Sequence, residues 1–569
     1  MRKLDRTTLI VLVATLISSV LSRGAIAQDS DTIEPVSLHP TLTNLSIEWP
    51  VVADPTAKVS LRYRPLTTST SSNQPGTEWR QGMDLIFVPA GSRSGHDWKA
   101  RYAGSIFGLR PATRYEIELT GHDKVQTFTA QTRAWPVSPP KGQLVNPQTI
   151  GAAIKGLSPG SVLVLTDGNY EAIRIETDGT SNSPVVIRAQ NPGGAIVNEE
   201  VRMDGQQHVH VVGLTVNGKI KFNNASGIVV RQCTVNTTRD GIVSYGEHSQ
   251  RSIIIGNTIT GATNWNEPAI GAKGNNIGEG IVLTGPGHVI AFNRVTKFRD
   301  GISLTEDEFA YNQQSIDIFG NEIDTCADDG VEADFAMGNV RVYNNRLTNC
   351  FMGISSQPGL GGPTYFVRNA MFNIVLSPFK LQRSSVGDIG LHNTAIKTGC
   401  AFGIFTHDRF ERTYFRNNLF LGGPAGECNG YDTGDGRAVY LAAAAESCDF
   451  DYNGYGNHPD KDIRGRVGDT TFEGEQEMRI LAEQHSIAIT IDEFNTVFEF
   501  PSDPLKIYPA QTLTLNPKAK AVDRGLRIAG INDNFQGHGP DLGAYEVDQP
   551  TLNYGPDALS EWLSENEIE

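Results

Sequence analysis

The chain has 569 residues, with 48 Lys+Arg against 64 Asp+Glu and a formal charge of −16. That acidity excludes the basic footprint nucleic acid requires, so no nucleic-acid partner is expected. Hydrophobic residues at 39% and aromatics at 8% supply a core and exclude wholesale disorder, and 59 glycines without a G-x-y period exclude collagen and point to many tight turns.

Residues 1–27 read as a secretory signal peptide. Arg2, Lys3 and Arg6 precede an apolar run from Leu9 to Leu21, and Ala25-Ile26-Ala27 has the small-x-small form of a cleavage site, placing cleavage near Ala27-Gln28. The run is shorter than the ~20 residues that span a bilayer. An exported protein, periplasmic or extracellular, with no membrane partner is expected. Losing four basic residues and one acidic residue with the signal takes the charge from −16 to −19.

Residues 28–135 read as short strands. Leu45-Ser46-Ile47-Glu48-Trp49 and Val59-Ser60-Leu61-Arg62-Tyr63 alternate with period two, and Leu109-Arg110-Pro111-Ala112-Thr113-Arg114-Tyr115 leads into Glu116-Ile117-Glu118-Leu119. The early Trp and the late L-x-P-x-T-x-Y run resemble fibronectin type III-like sandwiches. No chemistry is assigned to this unit. A linker at 136–146 follows, marked by Trp135-Pro136 and Pro139-Pro140.

From 147 to 548 the texture is that of a solenoid. A short helix begins at Thr149-Ile150 and ends near Gly156, as a cap to the first coil. An asparagine then recurs as a marker at Asn257, Asn293, Asn321, Asn345, Asn369, Asn393 and Asn418, with Cys233 in the same place one coil earlier. Counted from Cys233, the steps are 24, 36, 28, 24, 24, 24 and 25 residues, the long ones carrying insertions at about 263–280 and 306–314. Two residues after each marker the position is apolar, from Val235 to Phe420. A step of 24 residues fits three short strands and three turns, with coils stacked ~4.8 Å apart. The marker asparagines are expected as turn residues or a side-chain ladder, not as catalysts. Residues 549–569 read as an acidic C-terminal tail.

These features resemble the right-handed parallel β-helix proteins of the pectin-lyase-like superfamily. The opening Pro159-Gly160, Asp167-Gly168-Asn169-Tyr170, Gly179-Thr180 and Pro184-Val185-Val186-Ile187-Arg188-Ala189 is similar to chondroitinase-B and alginate lyase relatives. The closing Gly539-Pro540-Asp541-Leu542-Gly543-Ala544-Tyr545-Glu546 looks like the end of many secreted β-helix proteins. The resemblance implies an all-β fold: a right-handed parallel β-helix of ~24-residue coils behind a small β-sandwich. It does not select one activity.

The six cysteines (Cys233, Cys326, Cys350, Cys400, Cys428, Cys448) show no C-x-x-C spacing, which leaves disulfides or buried thiols rather than zinc. Candidate chemistry comes from alternation counted off the glycines that reopen strands after each marker. Ile302, Val331, Ile354 and Phe379 then face inward, and Ser303, Glu332, Ser355 and Lys380 face outward on successive coils. Asp334, Gln357 and Gln382 follow on the same face, and Gly403-Ile404-Phe405-Thr406-His407 brings His407 there too. Asp240-Gly241, Asp300-Gly301 and Asp329-Gly330 read as turns.

Converging carboxylates and cations suit an acidic polysaccharide. β-Elimination needs a base and a charge to neutralise the developing enolate. The leading expectation is therefore a secreted monomeric polysaccharide lyase. Lys380 is its base, Arg383, His407 and Glu332 assist, Ser355, Gln357 and Arg409 bind substrate, and Glu306, Glu332 and Asp334 hold calcium. A glycoside hydrolase using a carboxylate pair from Asp329, Glu332 and Asp334 is the alternative, and a non-catalytic glycan-binding β-helix is the third. The Lys-Ser pair of chondroitinase-B-type lyases and the Asp-Pro-His-Asp run of mannuronan epimerases are absent. Asp328-Asp329-Gly330 and Gly537-His538-Gly539 stand in the order of polygalacturonase motifs but over 200 residues apart, so that likeness assigns no role.

Overall fold

A computed structural model describes residues 36–566 apart from 51–56, 67–77, 122, 140 and 461. The expected signal peptide lies outside these residues.

The front unit is two four-stranded antiparallel sheets. One runs Ser37–Pro40, Leu45–Pro50, Arg101–Ile106, Ile86–Val88, and the other Lys124–Gln131, Arg114–Gly121, Ser60–Pro65, Arg80–Gln81. Alternation sends Ile47, Trp49, Leu61, Tyr63, Ile117 and Leu119 into a shared core. The Tyr115 hydroxyl accepts the Arg110 amide at 2.9 Å, fixing the turn that the L-x-P-x-T-x-Y run makes.

The rest of the chain is a right-handed parallel β-helix. Its first strand, Gln143–Val145, already lies inside the expected linker, and the helix Ile150–Lys155 sits between Thr149 and Gly156 as read from the sequence. Two long parallel sheets, of 13 and 19 strands, are built by each coil pairing with the next. An early coil has three strands, as its length requires: Val229–Arg231, Thr234–Asn236 and Ile242–Ser244. In three later coils the last two fuse into single long strands, Glu322–Glu332, Arg346–Ser356 and Ala370–Leu381.

The marker asparagines form a buried ladder. Each amide from Asn257 to Asn418 donates to the side-chain oxygen of the next rung at 2.9–3.0 Å, and Asn453 adds a rung the marker count missed. The left-handed turn residue is the one before each marker, such as Phe292 (φ 53°), Asn344 (φ 52°) and His392 (φ 56°). The ladder closes on Glu483 and Ser486, which take the Asn453 side chain and amide. A shorter stack, Asn373 to Asn349 to Asp324, runs beside it where the strands are fused.

The front unit docks on the 13-stranded sheet through a fully buried ion pair. Arg341 and Asp317 lie 2.5 Å apart, and the same guanidinium reaches Ser46 and Ser105 of the front unit. Residues 549–566, within the stretch read as an acidic C-terminal tail, pack against the solenoid. The helix Leu559–Glu565 lays Leu559 and Trp562 on Phe292, Phe319 and Trp135. All six cysteines are free thiols. No helix of the described residues is long and apolar enough to cross a membrane.

Candidate functional site

The alternation read from the glycines is the register observed. Val331 pairs with Ile302 and Ile354, and Ile354 with Phe379, all four fully buried. The outward row runs Ser303, Glu332, Ser355, Lys380 across four coils.

A second acidic row lies one step earlier on these strands. Glu279 pairs with Asp300, and the Asp300 carboxylate accepts the amide of Asp329 on the next coil at 2.9 Å. These acids sit in strands, Glu279–Leu283, Asp300–Leu304 and Glu322–Glu332, so Asp300 and Asp329 are not the turn residues the Asp-Gly steps suggested. The glycines beside them have a steric reason. A Cβ on Gly280 would lie 2.5 Å from the Gly301 carbonyl, and one on Gly301 2.5 Å from that of Gly330. Successive backbones approach too closely there for a side chain.

Between the rows the carboxyls crowd. One oxygen from each of Asp300, Asp329 and Glu332, and one from each of Glu306, Glu332 and Asp334, lie within 4.8 Å of one another. Lys380 Nζ bonds Asp329 at 2.6 Å, and Arg299 bridges Asp300 (3.2 Å) and Asp328 (3.4 Å). Asp329 Oδ1, Asp334 Oδ2 and Glu279 Oε2 are buried without a hydrogen-bond partner among the described residues. Burial, then Asp329, pushes the Asp328 carboxyl up to about 7; burial, then Asp240, does the same to Glu279. Asp300, Glu332 and Asp334 are raised well above the carboxylate range, in each case by burial first and then by neighbouring acids, with the Asp329 charge common to all three. Burial alone would discharge Lys380, but Asp329, Asp334 and Glu332 outweigh it and raise its pKa.

The two insertions flank this face. One carries Glu267–Ala269, the other Asp307–Phe309, where Phe309 stays 53% exposed and its ring meets Tyr245 at 6.3 Å.

Of the expected site residues, the structure brings together Glu306, Glu332, Asp334, Ser355, Lys380 and Arg383. Arg383 pairs with Asp307 at 3.0 Å and Glu306 at 3.7 Å. The Ser355 hydroxyl (2.6 Å) and the Gln357 backbone amide (2.8 Å) both donate to Asp334 Oδ1, so they position that carboxylate. Lys380 is ion-paired with Asp329 and its ammonium is favoured by the surrounding acids, which works against a role as base in this arrangement. His407 and Arg409 do not join the row. The strand Phe402–Gly403 leaves the 19-stranded sheet to pair with Val439–Leu441, and both residues end on an exposed bend with no hydrogen bond or ion pair among the described residues. Glu279, Asp300, Asp328 and Arg299 were missed. The signal was an acid-Gly step on four coils (Asp240-Gly241, Glu279-Gly280, Asp300-Gly301, Asp329-Gly330).

Residues 164–359 match the family described as "Periplasmic copper-binding protein (NosD)". No curated protein matches the chain. Among solved structures, pectate lyase Pel9A is 13% identical over 70% of this chain and 90% of its own, with a TM-score of 0.35. The family 28 exopolygalacturonase of Yersinia enterocolitica is 10% identical over 77% and 98%, at 0.31. A PL6 family polysaccharide lyase of Pseudopedobacter saltans is 11% identical over 49% and 84%, at 0.31. The donors do not fit copper. Among the described residues, both groups able to hold a metal are carboxylates alone, without the imidazole, thiolate or thioether copper favours. They fit a hard cation such as calcium.

Proposed function

We propose that the chain is a carbohydrate-active enzyme that hydrolyses a glycosidic bond of a polysaccharide bound over the face between the two insertions. The observation that carries this reading is a pair of adjacent buried carboxyls held by different cations, Asp329 by Lys380 and Asp328 by Arg299. Asp329 is ion-paired with Lys380 at 2.6 Å, while Asp328 is raised to about 7 and keeps its proton near neutrality. Environments that push two acids apart assign the acid and the base. Asp328 gives its proton to the glycosidic oxygen as the C–O bond breaks. Asp329, held by Lys380, takes the proton of the attacking water or stabilises the oxocarbenium-like charge. Phe309 and Tyr245 offer apolar faces for a sugar ring. On this reading the protein is an exported monomer.

A second reading, β-elimination on a uronate, draws on the Glu306, Glu332 and Asp334 group, whose Asp334 Oδ2 has no protein partner among the described residues. These residues would hold calcium, which when bound neutralises a substrate carboxylate and offsets the acids that keep Lys380 charged.

The test is a panel of uronate and neutral polysaccharides, with and without a chelator. New reducing ends without ultraviolet absorbance, insensitive to the chelator, and a loss of about 10²-fold or more in kcat for Asp328→Asn, are the expected results. Unsaturated, absorbing products that the chelator abolishes would move the assignment to the second reading. Silence on every substrate removes the catalytic assignment and leaves a glycan-binding β-helix.

A further inference from the structure

On the far side of the solenoid from the acidic rows, a cleft of about 450 Å³ opens between the front unit, the 13-stranded sheet and the C-terminal segment. A second cleft of about 300 Å³ shares Tyr343, Asn344 and the Pro550–Leu552 stretch with it, so the two are continuous. The larger volume lies within the ~300–1,000 Å³ usual for small-molecule sites.

Its walls combine three kinds of group. Phe107, Tyr343 and Tyr545 form the aromatic part, and these rings are fixed. Phe107 stands edge-on to Tyr343 at 5.9 Å, Tyr343 stacks on Phe319 at 4.9 Å, and the Tyr545 hydroxyl is bonded to that of Tyr554 at 2.9 Å. Asn344 and Asn534 line the same cleft, and their side-chain amides make no hydrogen bond among the described residues. Arg368 is the cation. A guanidinium has five N–H donors, yet this one meets a single protein acceptor among the described residues, the Ala544 carbonyl at a long 3.4 Å, and forms no ion pair there. Burial works against its charge. Glu546, also on the wall, is occupied by the backbone amides of Gln536 (3.2 Å) and Asp541 (3.1 Å) and does not neutralise it by contact.

A planar cation short of acceptors calls for a carboxylate. Free amides call for hydroxyls, and rigid aromatic walls call for the apolar face of a ring. We propose that this cleft is a second saccharide-binding site, specific for a short sugar bearing a carboxylate, with Arg368 on the carboxylate and Asn344 and Asn534 on ring hydroxyls. The site is remote from the acidic rows and does not rest on the hydrolytic reading.

Calorimetric titration of the mature full-length chain with digalacturonate tests it, using Asp329→Asn as background so that the probe is not consumed. One binding event is expected that Asp329→Asn retains, that Arg368→Gln removes, and that Asn344→Asp weakens at least tenfold. Asn344→Asp keeps a residue type that tolerates its φ of 52° and only adds a negative charge, so it stands in should Arg368→Gln fold poorly. Unchanged melting temperature certifies each variant. Binding that survives both cleft substitutions, or no binding event at all, overturns the proposal. Equal affinity for lactose overturns the carboxylate requirement, and equal affinity for succinate overturns the saccharide.

Discussion

Lys380 shows how neighbours choose a side chain's chemistry. From the sequence it is a lysine on the outward face near an arginine, a reasonable base. In the fold its ammonium sits 9% exposed among Asp329, Glu332 and Asp334, and the acids win over burial. Replacing it by methionine strands Asp329 in a buried site without its cation. Lys380→Met is therefore expected to lose about 3–5 kcal/mol in urea unfolding at pH 8, and less at pH 5 where neighbouring acids carry protons. Asp328 and Glu279 give the pH dependence its sign. Their folded pKa values, about 7, lie above the unfolded carboxylate range, so the native state binds more protons than the unfolded one between about 4 and 7. The stability they contribute is complete below that window and lost as pH rises through 7. Melting temperature is expected to fall from pH 5 to pH 8, and Asp328→Asn to flatten the slope. Glu332 and Asp334 were legible as neighbours because alternation is counted from Gly330, and Glu306 because the 306–314 insertion places it above that face. Glu279 was not, because it falls within the 263–280 insertion where the count is broken, and His407 was placed on this face only because the sequence does not show its coil leaving the sheet.

At the scale of strands and turns, the sequence repeat carries the physics directly. A marker asparagine every 24 residues is a side chain whose two hydrogen-bonding ends are satisfied by the coils on either side. Asn345→Ala cuts the ladder in its middle, taking the acceptor from the buried Asn321 backbone amide and the side-chain donor from the Ile318 carbonyl, while the Asn369 oxygen keeps only the backbone amide of residue 345. It is expected to cost about 1–3 kcal/mol for each group left unsatisfied, read as a lowered denaturant midpoint with an unchanged m value. The fusion of strands around the site was not legible. It depends on Asn349 and Asn373 taking φ of 53° and 56° inside continuous strands, which an asparagine permits but does not announce.

Across the whole molecule, the front unit and the C-terminal segment are fastened to the solenoid rather than strung beside it. Arg341 and Asp317, both fully buried, lie at the first of these joints. Arg341→Met leaves the buried Asp317 carboxyl without its partner, and is expected to destabilise the entire chain by about 3–5 kcal/mol in a single transition. A separate early transition of the front unit alone would show the joint to be loose. The division into a sandwich and a solenoid was legible from composition and periodicity. Their docking was not, because Arg341 sits in an ordinary alternating strand and its serine partners lie about 240 and 300 residues away.

The glycine column also governs how this protein can change in length. Because each coil pairs its strands only with its neighbours, a duplicated coil of 24 residues placed ahead of Glu279 would leave every acid's spacing unchanged, at the cost of the Arg133 bonds that join Arg251 to Gly287. The same duplication between Glu332 and Lys380 would carry the lysine one coil, ~4.8 Å, out of reach of Asp329. Within the paired rows no added coil is tolerated, so the span from Glu279 to Lys380 sets a fixed gauge, and upstream of it the clamp formed by Trp135, Leu559 and the coils they cover resists lengthening.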